Sequence, residues 1–256
     1  MLYGLYLSAQ GAQVQSTRLD VLSNNLANAG TAGFKRDLAI FQSHRPFDVE
    51  NGGTSNAPSN QEALSGGVTP AKIVTDFGNG PVVHTGGSLD VALSGSGFFQ
   101  VTDGTQQFLT RKGQFALNPS GDLVLQNSGL RVLSSSGAPI NVPTEATQVE
   151  IGGDGTLSAV GSDGSRSQLA KLGLARPGSD QQLERVGSSL FRSNGPVSPA
   201  GTDLQLQQGF VEQSSVAPVS EMIELIQASR TLEANVNMIK FQDEALDRLL
   251  QSATPH

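Results

Sequence analysis

Few residues in this chain have the types and spacings that chemistry requires. Gly95-Ser96-Gly97 begins like a phosphate loop, but a nucleotide fingerprint needs a third glycine and a helix opening after it, and Phe98-Phe99-Gln100-Val101 continues as strand. Gly152-Gly153-Asp154-Gly155 has the composition of a calcium-binding turn. Such sites come as tandem nonapeptides, and none follows, so a hairpin turn is expected. His44, His84 and His256 are far apart and share no metal-ligand spacing. No G-x-S-x-G elbow raises a serine to a nucleophile. The carboxylates sit at turns (Asp103, Asp122, Asp154, Asp163) or toward the C-terminus. Catalytic pairs of acids meet only in three dimensions, yet no catalytic residue, metal ligand or cofactor-binding residue stands out. The expectation is a protein that is not an enzyme and takes no cofactor.

The informative signals are structural and lie at the two ends. Val219 to Gln251 contains neither Gly nor Pro. Alternate steps of three and four residues give Met222, Leu225, Ser229, Leu232, Val236, Ile239, Asp243, Leu246 and Leu250, of which seven are apolar. That is a heptad seam of the kind that pairs helices, on a rod of roughly 50 Å at about 1.5 Å per residue. Residues 1–29 predict a second helix with a narrower seam: Leu5, Ala9, Ala12, Ser16, Leu19, Ser23 and Leu26. Only Arg18 and Asp20 are charged there, as expected of a helix wrapped by neighbours on several sides. Its end is expected near Asn28-Ala29-Gly30, with Gly30 in the left-handed conformation. A two-helix hairpin capping a monomer is the plainer reading, and packing against copies of the same chain is the favoured one.

Composition agrees with a β-rich middle. The chain has 256 residues, 30 of them Gly, with no Trp and only two Tyr. From Lys72 to Glu212 short apolar runs alternate with turn signals such as Asp103-Gly104, Ser120-Gly121, Asp154-Gly155, Asp163-Gly164 and Asn194-Gly195. Asp-Gly and Asn-Gly favour the tight turns whose twist matches antiparallel strands. Single strands are expected over Gln168–Ala175 and over Leu204–Glu212. The predicted fold class is therefore α+β: long N- and C-terminal helices pairing as a coiled coil, with an inserted all-antiparallel β domain. The predicted organisation is 1–36 helix and turn, 37–71 extended loop, 72–212 β domain and 213–256 helix. Within the loop, 43–67 is rich in Asn, Ser, Gly and Pro and is expected to serve function or to be ordered by a partner.

A net charge of −7 argues against nucleic acid, which needs a basic face, and against docking on an anionic membrane. The chain has no cysteine, so disulfides, thiolate metal sites and cysteine nucleophiles are excluded. No apolar run reaches the 18 or so residues of a spanning helix. The first charged side chain is Arg18, so the basic start of a secretory signal is missing.

Three segments carry a resemblance. Leu22-Ser23-Asn24-Asn25-Leu26-Ala27-Asn28-Ala29-Gly30-Thr31-Ala32-Gly33-Phe34-Lys35-Arg36 resembles the N-terminal signature of the bacterial flagellar rod and hook proteins. Ser88-Leu89-Asp90-Val91-Ala92-Leu93, followed by Gly95-Ser96-Gly97-Phe98-Phe99, resembles that family's core segment. Gly209-Phe210-Val211-Glu212-Gln213-Ser214-Ser215-Val216 resembles the segment leading into its C-terminal helix, with Ser215 where Asn is usual. The resemblance implies a rod subunit that polymerises as a helical tube in the periplasm and transmits torque from motor to hook. It implies partners that are copies of itself, other flagellar rod proteins and the flagellar type III export apparatus, with no membrane insertion. Asp76-Phe77-Gly78-Asn79-Gly80-Pro81 and Thr85-Gly86 look more like the proximal rod branch, whereas Met1 to Tyr6 and the long loop also suit the distal branch. The expected assembly interface is Leu5, Ala9, Ala12, Leu19, Asn25, Leu26, Asn28, Phe34, Met222, Leu225, Leu232, Val236, Ile239, Leu246 and Leu250. The alternatives are a soluble enzyme with a β core and helical lid, and a secreted adhesin with a helical stalk.

Overall fold

The computed structural model describes residues 2–43, 67–161, 164–179, 182–201 and 204–253, so most of the expected 43–67 excursion lies outside the described residues. The chain is α+β, with a helix at each end and antiparallel strands between them. It divides into two units, each built from separated stretches: Met1–Ala27, Asp37–Asp76 and Ala217–His256 in one, Asn28–Arg36 and Phe77–Val216 in the other.

The first unit holds α1 (Leu2–Ala27) and α2 (Pro218–Ala253). Pro218 opens α2 at the position where a missing N–H leaves no bond unmade. The helices run antiparallel: Gly4 lies against Gln242, Gly11 against Asn235, and Arg18 pairs with Glu224 at 3.1 Å. Beside α1 packs a two-stranded antiparallel ribbon, β1 (Asp37–Ser43) and β2 (Val68–Thr75), with a bulge between Ile40 and Phe41. Part of the segment expected as extended loop is therefore strand. Burial alternates along β1, but Leu38 and Ile40 lie on its exposed side, so apolar residues do not mark the covered face there.

The expected seams are displaced on both helices. On α2 the less exposed positions are 221, 224, 225, 228, 229, 232, 235, 239, 242 and 246, which keeps Leu225, Ser229, Leu232, Ile239 and Leu246. The other half of the seam shifts by one residue, from Met222, Val236 and Asp243 to Glu221, Asn235 and Gln242. Met222, Val236 and Leu250 are exposed. On α1 the buried residues are Val14, Val21, Leu22 and Asn25, while Ala9, Ser16 and Ser23 are exposed. The physical reason is that Gly4 and Gly11 leave room on α1 for the Gln242 and Asn235 side chains, which seats these amides and their stripe against α1.

The second unit is all strand among its described elements. Its largest sheet has the order β14 (Leu183–Arg185), β15 (Leu190–Ser193), β6 (Gln107–Thr110), β5 (Phe98–Thr102), β9 (Arg131–Val132), β8 (Leu123–Leu125) and β7 (Phe115–Leu117). β13 (Leu174–Pro177) joins it to β16 (Val197–Pro199). A three-stranded sheet comprises β10 (Ala146–Ile151), β11 (Thr156–Gly161) and β12 (Arg166–Lys171). Two strand pairs complete it: β4 (Val91–Ser94) with β17 (Gln205–Gln208), and β3 (Val82–His84) with β18 (Phe210–Glu212). Every pairing is antiparallel.

Successive side chains of a strand point to opposite faces, and β5 uses both. Phe99 enters the main core with Val91, Val101, Leu123 and Leu157, meeting Phe115 edge-on at 5.1 Å. Phe98 enters a second cluster with Leu109, Ala175 and Phe191, joined by Phe77. Two expected strands are broken. Gly173 separates β12 from β13, and an added Cβ there would come within 2.8 Å of the Leu133 carbonyl. Gly209, at φ 80°, separates β17 from β18.

Candidate functional site

The signature segments meet inside the second unit. Asn28 to Arg36 forms consecutive turns, with Thr31 N donating to Asn28 O (3.0 Å) and Phe34 N to Thr31 O (3.2 Å). The left-handed residue is Gly33 (φ 68°), whereas Gly30 has an ordinary backbone, which corrects the expected helix end. At Gly33 a Cβ would stand 2.5 Å from Lys112 N, so only glycine lets the turn approach that backbone. Gly33 N donates to Glu212 O (2.8 Å) and Ser215 N to Phe34 O (3.0 Å), stitching the turn to β18 and its exit. Ser215, where the family usually has Asn, accepts from Arg36 N at 2.9 Å through its hydroxyl.

At the centre, Lys35 Nζ lies 2.6 Å from Glu212 Oε1 and also donates to Gly78 O (2.8 Å). Gly80 N donates to the same carboxylate oxygen at 2.9 Å. Arg111 reaches Glu212 Oε2 at 3.3 Å and Gly95 O at 2.6 Å, and its guanidinium lies 5.4 Å from the Phe98 ring centre. Burial lowers the Arg111 pKa, and the charge of Glu212 opposes that shift. Two cations thus share one carboxylate and donate also to backbone carbonyls, while Arg111 Nε is buried without a hydrogen-bond partner. Arg185 closes the top, donating to Lys35 O (2.5 Å) and lying over the Phe34 and Phe191 rings at 4.6 and 5.1 Å.

This cluster holds structure together; it has no opening for a substrate. The Lys35 and Glu212 side chains are 1% exposed and Arg111 3%. Elsewhere in the unit a cavity of about 690 Å³ is lined by Leu172, Leu174, Leu204 and Leu206, with Asp154 and Lys171 at 3.9 Å on its rim. Its lining is largely aliphatic. Among the described residues no group of three His, Asp or Glu could hold a metal. No helix there is long and apolar enough to cross a membrane.

The expected interface residues fall into three groups. Asn25 and Phe34 are 0% and 1% exposed, so their work is intramolecular. Asn25 pairs with the Asp37 backbone in both directions at 2.9 Å, as a strand would, and so ties β1 to α1. Leu5, Ala12, Leu19, Leu26, Asn28, Leu225, Leu232, Ile239 and Leu246 are half-buried. Ala9, Met222, Val236 and Leu250 are exposed. Sequence reasoning passed over Lys35, Arg111, Arg185 and Glu212 as site residues. Lys35, between Phe34 and Arg36, and Glu212, the one charge in residues 209–216, stood inside the motifs, which was the available signal; Arg111 carried none.

Paired terminal helices and a β unit clasped through its own two ends define the class, a structural α+β protein. Family profiles agree with one another along the chain: a flagella basal body rod protein profile matches 5–35, a flagellar hook protein FlgE/F/G D1 domain matches 92–159, and a flagellar basal body rod FlgEFG protein C-terminal profile matches 207–252. The flagellar basal-body rod protein FlgG of Bacillus subtilis (strain 168) is 32% identical over 261 residues, covering 98% of each chain. FlgG of Buchnera aphidicola subsp. Acyrthosiphon pisum is 34% identical over 98% of this chain and 100% of its own. The rod protein FlgF of Caulobacter vibrioides is 32% identical over 92% of this chain and 91% of its own. The chain belongs to the flagellar basal-body rod protein family.

Proposed function

We propose that the chain is a structural subunit of the bacterial flagellar rod, polymerising with copies of itself and other rod proteins into a helical tube that carries torque from motor to hook. It leaves the cytoplasm through the flagellar export apparatus and works in the periplasm. The observation that carries this reading is the surface of α2. The helix is 36 residues long, lies against α1 along one side, and leaves Val219, Met222, Ile223, Ile226, Met238, Phe241 and Leu249 exposed on the rest. Exposed apolar surface on that scale marks an interaction site. Repeating heterologous contacts build a tube, where two-fold contacts would close a dimer.

Pairing of α1 with α2 as a coiled coil belongs to the same reading, supported by the four-three spacing of the less exposed α2 positions. So does the division of labour in which the helices form the tube wall and the β domain packs outside. The interface then draws on Leu5, Ala9, Ala12, Leu19, Leu26, Asn28 and the exposed α2 residues. The proximal position is favoured by Asp76–Pro81, although Gly78 and Gly80 there also serve the Glu212 cluster and so answer to packing as well as to place. Gold-labelling an epitope-tagged chain in purified basal bodies tests function and position together. Label along the rod between motor and hook is expected, and basal bodies that assemble fully in its absence would sink the proposal.

A further inference from the structure

The contact between α1 and α2 presents a problem of register. Leu225, Leu232, Ile239 and Leu246 recur every seven residues on the side of α2 with reduced exposure. Sliding α2 by seven residues therefore offers α1 the same apolar face, displaced by roughly 10 Å. Apolar packing alone does not choose among such registers.

Two polar contacts do recur only once. Gly4 faces Gln242, whose Nε2 is 3.0 Å from where a Cβ would stand, and Gly11 faces Asn235, with Nδ2 at 3.1 Å and Oδ1 at 3.2 Å. Glycine inside a helix costs about 1 kcal/mol relative to alanine, and two are present seven residues apart in α1. The two amides on α2 are also seven apart, and the helices run in opposite directions, so both rungs close in a single register. A slip one way sets Gly4 against Asn235 and carries Gln242 past the start of α1. A slip the other way sets Gly11 against Gln242 and Arg18 against Asn235. Either slip also separates Arg18 from Glu224, now 3.1 Å apart. The rungs are not obvious stabilisers, since Gln242 Oε1 is buried with no hydrogen-bond partner.

We propose that the Gly4–Gln242 and Gly11–Asn235 rungs select the antiparallel register of α1 against α2. A polar residue at one layer of an otherwise apolar helix contact is a known means of specifying register at the expense of stability. The proposal concerns the single chain and stands whether or not the chain is a rod subunit.

The chain has no cysteine, so two introduced ones are its only thiols. Spin labels on Gln13→Cys and Lys240→Cys, both exposed positions, report the inter-helix distance in the full chain by pulsed electron resonance. One distance is expected with the rungs intact. Asn235→Ala with Gln242→Ala shortens both side chains and introduces the best helix former, so neither clash nor propensity opposes folding. The expected result is a second distance population, as an axial slide of roughly 10 Å requires, with helix content by circular dichroism retained. An unchanged single distance overturns the proposal. Loss of helix content overturns it too, since the rungs would then hold the pair together without selecting its register.

Discussion

Lys35 Nζ and Glu212 Oε1 are 2.6 Å apart although 177 positions separate them in the chain, and both side chains are 1% exposed. The salt bridge joins the turn that follows α1 to the strand that precedes α2, closing the β unit through its two ends.

Breaking this pair from one side leaves a charge buried without its partner. Lys35→Ala or Glu212→Ala is expected to destabilise the protein by about 3–5 kcal/mol. Chemical denaturation of the full chain, with hydrogen exchange at the β18 amides, measures this; a loss below about 1 kcal/mol contradicts the clasp. Glu212→Ala is expected to be the worse of the two, because it leaves both Lys35 and Arg111 unpaired.

Gly33→Ala tests the approach of the signature turn to the β unit. The position combines φ 68° with a Cβ site 2.5 Å from Lys112 N. The left-handed conformation alone costs a non-glycine residue about 1–2 kcal/mol, and the overlap adds to it. The melting temperature should fall accordingly, and a melt equal to that of the unaltered chain would show that the turn relaxes freely.

The exposed face of α2 separates folding from assembly. Val219, Met222, Ile223 and Ile226 share one side of the helix and are 66%, 45%, 52% and 52% exposed. Ile223→Asp or Ile226→Asp should change monomer stability by no more than about 0.5 kcal/mol, as surface substitutions do, yet prevent incorporation into the rod. Leu232→Asp and Ile239→Asp sit on the side of α2 with reduced exposure and should affect stability as well. Swimming in soft agar, beside a thermal melt of each purified variant, gives the comparison. Normal motility with Ile226→Asp would remove this face from the interface.

Acid should loosen particular turns before it unfolds the sheet. Asp103 is held below the usual carboxylate range by the Gln106 backbone N–H, then by the Thr105 N–H and hydroxyl. A carboxylate with a depressed folded pKa stabilises fully above its unfolded value, about 3.9 for Asp, and that contribution is lost as pH falls through the folded value. The Thr105 and Gln106 amide resonances should therefore hold their positions down to about pH 4 and shift below it. Asp103→Asn should abolish the shift. Amides that move at pH 6 would contradict the assignment.

Local chemistry made part of this fold legible. Turns at Asp103-Gly104, Ser120-Gly121 and Asp154-Gly155 fall between strands, each with its glycine at positive φ, because a tight turn depends on a few adjacent residues. The long helix ending the chain was legible from 33 residues without Gly or Pro. β1 was not, since the residues exposed in its alternation include the apolar Leu38 and Ile40 while Asp37 is buried. The half of the α2 seam formed by Leu225, Leu232, Ile239 and Leu246 was readable as well. The other half was misplaced by one residue, because a helix facing glycines can seat an amide where apolar periodicity would choose Met222 and Val236.

The sequence by itself determined the α+β class, the antiparallel character of the middle and the family, since each depends on local pattern or contiguous motif. Only the tertiary structure decided what the motif residues do. Phe98 and Phe99, adjacent in sequence, enter two different cores because a strand turns successive side chains to opposite faces. Lys35, Arg111 and Glu212 become one buried cluster only when distant segments close on each other, and no local spacing encodes that meeting. The seating of the Gln242 and Asn235 side chains against Gly4 and Gly11 is likewise a property of two helices together and of neither alone.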